Sequence, residues 1–165
     1  MDKRRVKVNM KPEFETTILD IARVARVTAG GKRLSFRATV AVGKPESFQV
    51  GIGIEKGKDV AQAIQKATRV AQKNLITVPV VGETIPHEVV AKYSAAKILL
   101  KPAKKGKGII AGGIVRAILK LSGIPNVTAK VLGRTNNPIN NARATILALK
   151  SLKPLKKNNK EKEKE

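Results

Sequence analysis

Residues 30–71 read GGKRLSFRATVAVGKPESFQVGIGIEKGKDVAQAIQKATRVA, and this stretch decides the fold. Gly30 and Gly31 mark a tight turn, because glycine takes positive φ without steric cost. Leu34, Phe36, Ala38, Val40 and Val42 then recur at period two, which predicts a strand over 34–42 with one apolar face. Lys44-Pro45-Glu46-Ser47 is a second turn, and a third strand follows over 48–54. Gly51 and Gly53 fall on one face of it, where a missing side chain lets a helix or another backbone come close. Asp59 stands at a helix N-cap, with Gln62 at the capping-box position. Val60, Ala63, Ile64, Ala67, Val70 and Ala71 recur at helical spacing, with Gln62, Gln65, Lys66, Arg69, Gln72 and Lys73 opposite them. This pattern predicts an amphipathic helix of about 16 residues.

Working outward, residues 17–28 are rich in Ile, Val and Thr and read as the strand that pairs across the Gly30-Gly31 turn. Three strands and a helix make a first domain over 17–80. Residues 1–16 form a basic N-terminal arm that lacks the apolar run of a secretory signal. Pro79 and Gly82 mark a boundary. Beyond it come strands over 88–93 and 96–100, a basic glycine loop over 104–108, and an apolar helix over 112–122 stopped by Gly123 and Pro125. A strand over 127–132 precedes a last helix, with Asn137 as cap and Pro138 at its first position. Its inner stripe is Ile139, Ala142, Ile146, Leu149 and Leu152. The second domain, 81–153, is therefore α+β with a sheet and two helices. The segment 154–165 ends in KKNNKEKEKE, a low-complexity charged tail expected to be disordered.

The 165 residues carry 34 Lys+Arg against 12 Asp+Glu, a formal net charge of +22. A hydrophobic fraction of 42% supports a globular core, so the charge is not that of a disordered chain. Such a charge repels itself in a compact fold unless something anionic lies against it. Nucleic acid is the first such partner, and an anionic membrane surface the second. Between Glu88 and Glu161 there are sixteen basic residues and no carboxylate, whereas an ordinary solvated surface mixes the signs. The longest apolar run, 108–115, is far shorter than the roughly 20 residues of a membrane span. There is no Cys, and His87 is the only His. Disulfides, thiolate or His-cluster metal sites and most nucleophile–base pairs are thereby excluded.

Two glycine motifs suggest nucleotides and fail. Gly106-Lys107-Gly108-Ile109-Ile110-Ala111 matches G-x-G-x-x-A between a strand and a helix, but the acid needed for the ribose about 20 residues on is missing. Gly57-Lys58-Asp59 ends like a P-loop, but Asp59 replaces the Ser/Thr that would hold magnesium. A nucleotide-dependent enzyme built on the Gly106 loop is the rival reading, and a free-standing regulator of double-stranded RNA is a third. Aromatics are few (Phe14, Phe36, Phe48 and Tyr93), which disfavours base stacking and favours folded RNA read by shape and phosphate. Arg23, Arg26, Lys32 and Arg33 around the Gly30-Gly31 turn suit that role, as do Lys56 and Lys58 beside a helix start.

The chain resembles the family of ribosomal protein five of the bacterial small subunit. The resemblance rests on GGKRLSFRATVAVG (30–43), VGIGIEKGKDVAQAIQKA (50–67), TIPHEV (84–89), KPA with GKGIIAGG (101–113) and NPINNARAT (137–145), in that order. It implies an N-terminal domain similar to a double-stranded-RNA-binding domain, joined to an α+β domain. It implies a non-enzymatic constituent of the cytoplasmic ribosome that binds small-subunit rRNA at the junction of head and body. Ribosomal proteins four and eight would be neighbours, the mRNA entry path would be close, and decoding accuracy would depend on the protein. The first hairpin loop, 26–33, would reach rRNA near the spectinomycin site. The rRNA-facing set would be Arg23, Arg26, Gly30, Gly31, Lys32, Arg33, Lys56, Lys58, Asn136, Asn137 and Arg143. Protein four would meet Lys104, Lys105, Gly106, Lys107, Gly108 and Arg116. No cofactor, metal, membrane or small-molecule substrate is implied. Four local features depart from the family pattern: Ala29 for a common basic residue, Lys107 for a small polar one, Lys44-Pro45-Glu46-Ser47 in place of a Gly-Asp-Gly turn, and an extra Asn at Asn136-Asn137.

Overall fold

The computed structural model describes residues 14–154. Most of the basic arm and all but the first residue of the charged tail lie outside the described residues. Strands β1 (Glu15–Thr28) and β2 (Gly31–Lys44) form a long hairpin of 14 residues a side. Thr28 stands opposite Gly31, and Gly31 takes a φ of 135°, which an L side chain adopts only with strain. The Thr28 hydroxyl donates to the Gly31 carbonyl at 3.0 Å and ties the turn. A shift of register between Ile18 and Asp20 places a bulge in β1, which adds local twist.

The second turn is a short 3-10 segment over Pro45–Ser47, and Phe48 leaves it with a φ of 51°. Phe48 is therefore outside the third strand, which starts one residue later and ends further on than its sequence pattern predicts: β3 (Gln49–Gly57). Helix α1 (Val60–Lys73) follows, and β4 (Ile76–Thr77) returns to pair with the start of β3. The order in this antiparallel sheet is β1-β2-β3-β4. Asp59 does occupy the N-cap of α1, but its carboxylate makes no capping bond, so the expected capping box is not formed. The helix starts instead on the backbone bond from Ala63 N–H to the Asp59 carbonyl.

The glycines of β3 explain how α1 sits. A Cβ at Gly53 would lie 2.0 Å from the Ala67 carbonyl oxygen, and one at Gly51 would lie 2.4 Å from that of Ala71. Gly57 is a third member, 2.6 Å from the Ala63 nitrogen, so a residue that reads as part of a broken P-loop is a packing residue. Four helical residues advance about 6 Å and two strand residues about 6.8 Å, so Ala67 and Ala71 run in step with Gly53 and Gly51. Ala38, Val40 and Val42 of β2 complete this layer with Ala63, Ala67 and Ala71. Phe36 packs on its rim rather than offering a stacking surface.

The second sheet contains β5 (Val89–Tyr93), β6 (Ala96–Pro102), β7 (Ile109–Ile110) and β8 (Val127–Val131), in the order β5-β6-β8-β7. The two-residue β7 runs parallel to β8, a feature absent from the sequence reading. Helices α2 (Gly113–Leu121) and α3 (Pro138–Lys150) cover it. Asn137 caps α3 as its sequence suggests, accepting from Ile139 N–H at 3.0 Å. The buried side of α3 is wider than one stripe, since Asn141, Ala144, Thr145 and Ala148 are buried beside Ala142 and Leu149. Ala41 and Val50 of the first sheet share a core with α2, α3 and the second sheet. The contact is close: a Cβ at Gly43 would lie 2.2 Å from the Leu121 carbonyl oxygen. The architecture is the α+β arrangement that the sequence predicts, three strands and a helix followed by a sheet with two helices, with the short β4 as an additional fourth strand of the first sheet.

Candidate RNA-binding surface

The hairpin outruns its own sheet. β3 pairs with β2 only as far as the Phe36–Gly57 level, so residues 24–28 and 31–35 pair with each other alone. At the strand rise, that is a projection of about 17 Å. Residues 25–34 are all exposed. From Ile21 to Pro45 there is no acidic residue. Register assigns the charges to two faces. Arg26 stands directly across from Arg33 on one, while Lys32, across from Val27, shares the other with Arg23. Like charges directly opposed in a ladder destabilise it, so Arg26 and Arg33 gain from an anion between or above them.

The base of the hairpin carries three more cations. Lys56 pairs in register with Arg37, and Lys58 follows one residue beyond Gly57, so both lie at the hairpin end of the sheet. Arg37 was not singled out by the sequence, although Arg33 and Arg37 sit at even spacing on one face of β2. It is half-buried and held by Asp20 at 3.7 Å. Arg23, Arg26, Lys32, Arg33, Lys56 and Lys58 have no ion-pair partner among the described residues.

Arg143 lies apart from the tip but not far from the base. Its guanidinium stacks over the Tyr93 ring at 5.4 Å and donates to the Tyr93 hydroxyl. Both residues line an open groove against Ile52 and Ile54. Lys56 is the next residue outward on that face of β3. Asn137 spends its side-chain carbonyl on the α3 cap, and no described contact joins Asn136 or Asn137 to the hairpin.

The second basic element is the loop before β7. Gly106 and Gly108 have φ of 83° and 69°, and Lys107 N–H donates to the Lys104 carbonyl at 3.2 Å. The loop feeds strand β7, and α2 begins only at Gly113, so it does not open a helix as a dinucleotide loop does. The Gly108 N–H is already taken by Asn126 Oδ1 at 2.9 Å. Lys105 pairs with Glu83 at 2.9 Å, whereas Lys104, Lys107 and Arg116 are exposed without an ion-pair partner among the described residues. Asn126, Glu83 and Thr84, which shape this loop, were missed by sequence reasoning. Among the described residues no cluster of His, Cys, Asp and Glu could hold a metal ion, and no helix is long and apolar enough to cross a membrane.

Two family models match the chain in succession: "Ribosomal protein S5, N-terminal domain" over residues 14–79 and "Ribosomal protein S5, C-terminal domain" over residues 91–162. Among similar curated proteins, the small ribosomal subunit protein uS5 of Thermotoga neapolitana is 53% identical over 140 residues, covering 85% of this chain and 78% of the relative. Its namesake in Thermotoga maritima is 51% identical over the same shares.

Proposed function

The chain belongs to the ribosomal protein S5 family, and from that premise we propose how its surfaces are used. As a member it is a structural constituent of the small ribosomal subunit and not an enzyme. In our reading the projecting hairpin binds small-subunit rRNA near the junction of head and body. Arg23, Arg26, Lys32 and Arg33 supply phosphate contacts, Gly30 and Gly31 the turn, and Lys56, Lys58 and Arg143 a flanking track. Asn136 and Asn137 extend the rRNA-facing set at the start of α3. The loop of Lys104, Lys105, Gly106, Lys107 and Gly108, with Arg116 on α2, faces a neighbouring protein, ribosomal protein four. Ribosomal protein eight is a second neighbour. In the same reading the chain lies by the mRNA entry path in the cytoplasmic ribosome and supports accurate decoding. The two units are 17–80 and 81–153.

The observation that carries this reading is the hairpin: about 17 Å of ladder with no apolar core, no carboxylate and opposed arginines. Phosphate contacts release counterions, so affinity for small-subunit rRNA falls with salt along a slope that reports about four contacts or more. Titration of full-length protein into small-subunit rRNA over a range of salt measures this, and a flat dependence overturns it. Sedimentation through a sucrose gradient tests assembly directly, because the protein migrates with the small subunit and a free regulator does not.

A further inference from the structure

Asn126 is only 4% exposed, and both ends of its side chain are engaged. Its carbonyl oxygen accepts from Gly108 N–H at 2.9 Å. Its amide nitrogen donates to Glu83, to the backbone carbonyl at 3.4 Å and to Oε2 at 3.3 Å. The Asn126 backbone N–H also donates to the Glu83 carbonyl at 3.1 Å, and Val127 N–H donates to the Gly108 carbonyl at 3.1 Å. Glu83 belongs to the turn closed by the Val81–Thr84 bridge, where Gly82 has a φ of 62°. The neighbouring Thr84 hydroxyl accepts from Ala103 N–H at 3.1 Å, just ahead of the loop. The other carboxylate oxygen of Glu83 holds Lys105 at 2.9 Å. A buried amide thus fastens two surface turns together, and the Glu83 carboxylate that accepts from it also pairs at the surface with one of the three loop lysines.

We infer that Asn126 and Glu83 are positioning residues that hold the 104–108 loop in one shape, presenting Lys104 and Lys107 to the loop's partner in the small subunit while Lys105 is paired with Glu83 at the surface. The inference rests on the reading of this loop as a contact surface. An exposed loop with two glycines in positive φ has many alternative shapes, and each must be given up on binding. Fixing the loop beforehand removes that cost from the association step. The acceptor at Gly108 and the donor to Glu83 act together, because one planar amide carries both.

The test uses the full chain and small subunits lacking it, with two readouts: amide exchange at Lys107 and Gly108, and affinity for the depleted subunits. Lys104→Gln with Lys107→Gln leaves loop exchange unchanged and weakens affinity about fivefold. Unchanged affinity in that variant overturns the contact reading itself. Asn126→Ala speeds loop exchange about tenfold while amides of β6 and α2 keep their protection. Its affinity, measured below its melting temperature, falls about fivefold. Asn126→Asp keeps an acceptor for Gly108 N–H but sets a second carboxylate against Glu83, so it behaves like the alanine variant. Adding Glu83→Gln turns the side-chain repulsion into an amide–carboxylate hydrogen bond and recovers part of both readouts, because the backbone carbonyl at position 83 still meets an acceptor. The rescue is readable even if Asn126→Ala fails to fold, and lost bulk stability alone would not produce it. Wild-type affinity in Asn126→Asp despite faster loop exchange overturns the positioning role, and so does binding no tighter after Glu83→Gln is added than in Asn126→Asp alone.

Discussion

The two halves of β2 show opposite solutions on a single strand. Residues 38–43 are buried on both faces, with Ala38, Val40 and Val42 under α1 and Ala41 against the second half of the chain. Residues 31–35 touch little beyond their partner strand, and Val27 opposite them is 74% exposed. A fully buried valine contributes about 1.5–3 kcal/mol, so Val40 and Val42 stabilise the fold where Val27 adds almost nothing. The charges follow the same division. The described basic residues of the tip have no acidic partner, whereas Arg37, where burial begins, has Asp20. Folding is thus specified by the lower half of the hairpin, and our proposal gives binding to the upper half.

The strongest way to break this comparison is to disturb the lower half. In Gly53→Ala the new Cβ meets the Ala67 carbonyl oxygen at 2.0 Å, and that backbone atom cannot rotate away. Helix α1 must lift from the sheet, and the alanine layer that depends on close approach is opened. We expect a loss of about 3 kcal/mol or more, toward the severe end for overpacking. Thermal melting measures it. A variant that melts with the wild type would show that α1 is not seated on β3.

The tip tolerates more, and its backbone sets the limit. Gly31→Val meets no atom within 4 Å, so its cost comes only from φ of 135°. The expected loss is about 1–2 kcal/mol. Gly30 is equally open but is not in positive φ, so Gly30→Ala changes stability by no more than about 0.5 kcal/mol. Melting both variants separates turn geometry from turn composition, and equal losses would contradict the assignment.

Much of this division is legible in the sequence. Period two in 34–42 and helical spacing in 60–71 announce the strand and the helix, and Gly51 with Gly53 announces their close approach. Gly57 was hidden, because beside Lys58 and Asp59 it resembles the end of a phosphate loop. Asp59 marked the helix start, but a cap position does not fix a rotamer, and the bond is not made. A two-residue strand such as β7 has no period to read. Asn126 in GIPNVTAK resembles any turn residue, and its partner lies 43 residues earlier in the chain. The basic tip was evident from composition, but the face of each charge depends on a register that pairing alone supplies.

The smallest stability effect belongs to the charges themselves, and it carries the sharpest test of binding. Replacing Arg26, Lys32 and Arg33 with Gln removes three exposed cations that have no ion-pair partner among the described residues. Exposed charges contribute little to stability, so the change in melting should correspond to no more than about 0.5 kcal/mol. Its expected sign is a slight gain, because the change relieves the opposed Arg26–Arg33 pair. Affinity for small-subunit rRNA should nonetheless fall, and the slope of log affinity against log salt should flatten by up to about three contacts. Because the fold is retained, that loss reports contact rather than shape. If affinity and slope are unchanged, the hairpin does not face rRNA. The stretch beyond Glu88, which has no acid before Glu161 and includes Lys104, Lys107, Arg116 and Arg143, would then have to supply the phosphate contacts.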